Sequence, residues 1–158
     1  MRCPYRRLSK EAEIYNHGYY PGISIFANGK PWDKTNASSL ELLVLLEGPQ
    51  GTPYEKYKLK VVISFTEAYP HCSPRVYFKP PLYHVNIEQT TGQPDISILS
   101  VPWFPSCQII NILEEIIELL KNPEPCHACN ELAAQEFINN RDLYNRKAEK
   151  SAKISSKY

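Results

Sequence analysis

With 158 residues, 42% of them hydrophobic, the chain is sized for one domain, spanning 1–158, with a core of its own. Eighteen Lys and Arg against 17 Asp and Glu leave a formal net charge of +1, which gives no electrostatic reason to expect nucleic acid or an anionic membrane as a partner. No stretch reaches the roughly 20 apolar residues of a membrane span, and the first residues carry no apolar run of signal-peptide length, so cytoplasm or nucleus is the expected location.

Residues 5–17 combine mixed charge with Leu8, Ala12 and Tyr15 at helical spacing, which predicts a first helix ended by Gly18 and Pro21. Residues 22–28, 40–48, 57–65 and 75–79 are rich in Leu, Ile, Val, Tyr or Phe and bounded by turn formers, which predicts four strands in an antiparallel meander. The third alternates most clearly, with Tyr57, Leu59, Val61, Ile63 and Phe65 on one face and Lys58, Lys60 and Ser64 on the other. Pro80 and Pro81 then open an aperiodic stretch, 80–105, of a length that in compact domains is usually functional. After Ser106, read as the N-cap, Ile109, Ile112, Leu113, Ile116, Ile117 and Leu120 fall on one helical face. Asn111, Glu114, Glu115 and Glu118 fall on the other and read as a solvated acidic side. Residues 130–139, with an apolar stripe of Leu132, Ala133, Phe137 and Ile138, and 141–153 read as two more helices, and 151–158 as a frayed tail. The order makes an α+β domain: N-terminal helix, four-stranded meander, long loop, long central helix and two closing helices.

Five cysteines, Cys3, Cys72, Cys107, Cys126 and Cys129, are odd in number and irregularly spaced, so they read as free thiols and not as a disulfide framework. Cys126, His127 and Cys129 are zinc-type ligands close together, but a structural site needs a fourth, and no second pair has matching spacing; no metal and no cofactor is expected.

Several ordered motifs resemble the ubiquitin-conjugating enzymes along nearly the whole chain: EGPQGTPYE at 47–55, ISFTEAYPHCSPRVYF at 63–78, YHVNI at 83–87, Trp103 with Pro105, and PEP at 123–125 followed by NELAAQEFINNRDLYNRKA. The resemblance implies the ubiquitin-conjugating (UBC) fold and a thioester-carrying cysteine shortly after the His-x-Asn motif. In that segment, GQPDISIL (92–99), the cysteine position falls on Asp95. A thiolate gives an acyl ester both durable and reactive, whereas a carboxylate attacking an acyl adenylate gives a mixed anhydride that hydrolyses. The expectation is therefore a protein that binds and does not transfer.

The same resemblance implies roles for the neighbours of Asp95. Asn86 stands at the oxyanion-stabilising position and His84 at a loop-bracing one; here both read as structural. Ser97 and His127 replace two acidic residues of the family, and Glu114 replaces a leucine that packs on ubiquitin. His71, Pro105 and Ser106 occupy the ligase-contact positions, with His71 in place of an aromatic anchor. The expected partners are another conjugating enzyme, ubiquitin or a ligase. Two alternatives stand beside this: an active enzyme with a displaced nucleophile, Cys107, Cys126 or Ser97, and an adaptor outside ubiquitin transfer.

Overall fold

The structure, a computed structural model, describes residues 4–100 and 102–157. Cys3, the Val101 position of the long loop and the last residue of the tail lie outside the described residues.

Helix α1 (Pro4–His17) buries Leu8 and Ala12, one turn apart, and between them Glu11. Five strands follow: β1 (Ile23–Ala27), β2 (Lys30–Pro31), β3 (Glu41–Glu47), β4 (Lys58–Ser64) and β5 (Arg75–Phe78). They form one antiparallel sheet in the order β2-β1-β3-β4-β5, so the expected four-strand meander is present and gains a two-residue edge strand too short to leave a periodic signal. Leu42, Val44 and Leu46 of β3 lie opposite Ile63, Val61 and Leu59 of β4, and all six are buried. Slipping this register by one residue would turn that entire set to solvent, which is what fixes it.

Helix α2 (Ile109–Lys121) turns Ile109, Ile112, Leu113, Ile116 and Leu120 inward, where they join α1 and the inner sheet face in one core. Its N-cap is Gln108 and not Ser106: Gln108 has extended backbone dihedrals, and the Asn111 side chain accepts from its N–H at 2.9 Å. Ser106 is exposed two residues upstream, in the loop that leads to the helix.

Helix α3 (Glu131–Asn139) is capped by Asn130, whose Oδ1 accepts from Ala133 N at 3.1 Å. Its inward side is Ala133, Ala134 and half-buried Phe137; Leu132 and Ile138, expected in that stripe, are 55% and 66% exposed. The small alanines let α3 approach closely, and a wider apolar face finds nothing to cover it.

Helix α4 (Arg141–Lys157) corrects the expectation of a frayed tail. Tyr144, Ala148, Ala152 and Ser155 are buried, and α4 packs on β4. β5 reaches only residues 61–64 of β4; beyond it, the hydroxyls of Ser155 and Ser156 accept from Lys60 N at 3.1 Å and Lys58 N at 3.4 Å. Two serines of a polar-looking tail therefore satisfy backbone donors at a sheet edge, a role with no periodic signature.

Candidate functional site

The segment carrying Asp95 is a tight hairpin held against β5. Asp95 N donates to Asn86 O at 2.9 Å, Glu88 N to Gln93 O at 3.0 Å, and Phe78 N to Gly92 O at 2.8 Å. Gly92 has φ +76°, and a Cβ there would sit 2.2 Å from Phe78 O, so only glycine permits this docking. The Glu88 carboxylate accepts from the hydroxyls and backbone N–H groups of Thr90 and Thr91, and these bonds hold its pKa down to about 2. The turn thus stays charged and closed over the whole physiological pH range. Asp95 itself is exposed.

Asn86 and His84, behind the hairpin, are buried and committed to structure. The Asn86 amide group donates to Glu124 O at 3.0 Å and His127 O at 3.1 Å, while its Oδ1 accepts from Glu124 N at 2.8 Å. Both amide protons are spent on the chain that runs from α2 to α3, leaving no donor for an oxyanion. His84 accepts from Asn86 N through Nδ1 and meets Leu119 O through Nε2, each at 3.0 Å, an arrangement that requires the neutral Nε2–H tautomer. Burial lowers its pKa to about 4, the bond to Leu119 O opposing the shift.

Between pH 6.5 and 4 the unfolded chain protonates this histidine and the folded one does not, so stability is lost as pH falls through that window. The gap between 6.5 and about 4 amounts to about 3 kcal/mol at most. Urea unfolding at pH 7 and pH 4.5 should show this loss, and His84→Gln should be less stable at pH 7 but flatter with pH. An unchanged pH slope in that variant would remove His84 as its source.

Ser97 and Ile98 open a 3-10 turn (Ser97–Leu99), and Glu115 of α2 caps it: its carboxylate accepts from Ser97 N at 2.8 Å, Ser97 Oγ at 2.5 Å and Ile98 N at 3.1 Å. Glu115 is thus not part of a solvated face, as its spacing had implied, and Ser97 is a tethered residue. Glu114 and Glu118 are exposed on the same helix, and Asp95, Ser97, Glu115, Glu118, Asn122 and Glu124 line one acidic groove. His127, 75% exposed in its side chain, stands at the groove's rim, 3.9 Å from the Glu124 carboxylate.

The cysteines distribute unevenly. Cys107 precedes α2 at the end next to α1, its carbonyl accepting from Arg7 at 2.8 Å, about 15 Å along the helix from the Asp95 groove. Cys126 is exposed in the 3-10 turn (Pro125–His127) that Asn86 holds. Cys129, not among the nucleophiles foreseen from sequence, is exposed and bonded through its N–H to Val85 O at 3.0 Å. Although the residue is exposed, partial desolvation of its sulfur by the surrounding chain raises its thiol pKa, and the charges of Asp95 and Glu88 raise it further. Only pairing of residues 85–86 with both 95 and 129 reveals that neighbourhood.

At the opposite end of α2, Arg7 donates to Pro105 O at 2.6 Å and Cys107 O at 2.8 Å, and Trp103 Nε1 donates to Pro70 O at 2.8 Å. These bonds tie the loops bearing His71, Pro105 and Ser106 to each other and to α1. Phe104, overlooked in the sequence, projects from them 60% exposed.

A meander backed by a long helix, with a glycine-docked hairpin leading from a His-x-Asn motif into a groove beside that helix, defines a class built around an extended loop and not around an enclosed pocket. The chain belongs to the ubiquitin-conjugating enzyme family, whose model matches residues 7–152. It is 35% identical over 144 residues to the Caenorhabditis elegans ubiquitin-conjugating enzyme E2 1, covering 91% of this chain and 71% of that protein. It is 29% identical over 143 residues to the Arabidopsis thaliana ubiquitin-conjugating enzyme E2 22, of which it spans 54%. The E2 domain of a Toxoplasma gondii ubiquitin conjugating enzyme superposes with a TM-score of 0.79 at 26% identity, over 96% of this chain and 98% of that one.

Proposed function

We propose that the chain acts in ubiquitin or ubiquitin-like conjugation as a non-catalytic binding or regulatory partner, engaging another conjugating enzyme, ubiquitin or a ligase. The observation that supports this reading is the hairpin: Gly92 and the Asp95–Asn86 bond hold an exposed carboxylate, with no thiol, in the segment whose resemblance to the family implies the acyl-carrying position. Around it the supporting chemistry is spent, with Asn86 bonded to backbone on every side and Ser97 tied to Glu115. Binding falls to exposed groups: His71, Phe104, Pro105 and Ser106 at one end of α2, and Glu114 on its outer face.

A second reading, transfer through a displaced thiol, draws support from Cys126 and Cys129 standing exposed near the same groove. At Cys129 its weakness is electrostatic: a thiol raised by partial desolvation and by Asp95 and Glu88 is a thiolate only rarely at pH 7. An adaptor outside ubiquitin transfer would use the same exposed surfaces.

Incubation with activating enzyme, ATP and ubiquitin, followed by non-reducing electrophoresis, tests the proposal. No adduct is expected from the wild-type protein, while labelled ubiquitin or an active conjugating enzyme binds it in titration. A thiol-sensitive adduct lost in Cys129→Ser or Cys126→Ser would establish the second reading; a thiol-resistant one lost in Ser97→Ala would mark an oxyester. Absence of both adduct and binding would leave the adaptor.

A further inference from the structure

The net charge of +1 conceals a strong segregation. On α4, Arg146, Lys150, Lys153 and Lys157 recur at i, i+4, i+7 and i+11, a single row about 16 Å long. All four are exposed, and none takes part in a salt bridge or side-chain hydrogen bond among the described residues. The opposite side of the helix is taken: Tyr144, Ala148, Ala152 and Ser155 are buried, and Ser155 and Ser156 are bonded to β4. That docking fixes the rotation of α4 and so holds the four cations outward on a rigid element.

We infer that this row is a docking surface for an acidic protein segment, one with carboxylates spaced along a single line. The inference is independent of whether the chain carries ubiquitin. Three features select the occupant. The row is one residue wide, and Asp142 and Glu149 border it on α4, so a broad sheet of negative charge would meet them as well. Three of the four cations are lysines, point charges suited to single carboxylates, where a phosphate reader favours the bidentate fork of arginine. Among the described residues no exposed aromatic interrupts the row to stack on bases, and the apolar side of α4 is buried except for Ile154, 41% exposed, a single side chain too small a surface to anchor the helix in lipid.

The test is fluorescence anisotropy with a labelled decaglutamate peptide, using the full chain. Changing Arg146, Lys150, Lys153 and Lys157 together to Gln, a good helix former, should weaken binding at least about tenfold with an unchanged circular dichroism spectrum. A charge-matched control, Lys10, Lys30, Lys56 and Lys79 to Gln, all exposed elsewhere, should bind within about twofold of wild type. Equal loss in both variants would reduce the effect to net charge and overturn the proposal. So would the absence of peptide binding, or binding of phosphatidylserine vesicles or a 20-base-pair duplex, and not of the peptide, that depends on the α4 row.

Discussion

Replacing Glu11 by alanine is expected to destabilise the protein by about 3–5 kcal/mol, the range for removing one partner of a buried charged network. The Glu11 side chain is 3% exposed, and each of its oxygens is engaged. Oε1 accepts from Arg7 Nε at 2.8 Å and from the Tyr69 hydroxyl, and Oε2 accepts from Ile109 N at 2.7 Å. That last bond places a carboxylate on the first turn of α2, where the helix dipole and a free N–H both favour negative charge. Burial, reinforced by the Glu11 charge, keeps Tyr69 protonated and so a donor. Without Glu11, three donors converge on an apolar hole, and Arg7 loses the partner that orients it toward Pro105 and Cys107. For a chain of this size the loss corresponds to a melting temperature lower by roughly 6–20 °C. Thermal unfolding of Glu11→Ala beside Glu13→Ala checks it. Glu13, 51% exposed and 3.6 Å from Lys34, should change stability by no more than about 0.5 kcal/mol. Similar small losses in both variants would mean that the network is not what joins α1 to α2.

The second large effect concerns chemistry. Asp95→Cys alone is expected to leave transfer to lysine at least about 100-fold slower than in an active family member, the scale on which one missing oxyanion donor acts. The variant would put a thiol on the hairpin, but in a groove whose walls carry Glu118 and Glu124, charges that suppress the thiolate. Asn86 remains bonded to Glu124 and His127, Ser97 to Glu115, and no carboxylate takes the place that His127 occupies. Single-turnover discharge of any thioester formed, with and without a ligase domain, measures this. Ligase-stimulated discharge within about tenfold of an active enzyme would overturn the proposal that the groups around Asp95 no longer support transfer.

The order of elements was open to reading because each one carries its own periodicity. Period two marks β4, and the recurrence from Ile109 to Leu120 marks α2, because both bury one face against the same core. The motif words around Asn86 and Asp95 carry the family resemblance. Glu11 was also half visible: Leu8, Glu11, Ala12 and Tyr15 share one helical face, so a carboxylate there signals a buried partner. Glu115 gave no such sign, since spacing along α2 places it with Glu114 and Glu118, and only the approach of the Ser97–Leu99 turn sets it apart.

Sequence by itself determined the α+β order, the family and the carboxylate at Asp95, since these reside in local pattern and residue identity. Tertiary structure alone decided which backbone groups Asn86 and His84, already read as structural, hold: those of Leu119, Glu124 and His127; it alone decided that Cys129 and not Cys107 neighbours Asp95, and that residues 151–157 are helix. It also decided that Arg146, Lys150, Lys153 and Lys157 face outward as one row. The reason is common to all four: a hydrogen bond or a buried face depends on what lies across from a residue, and the chain writes down only what lies beside it.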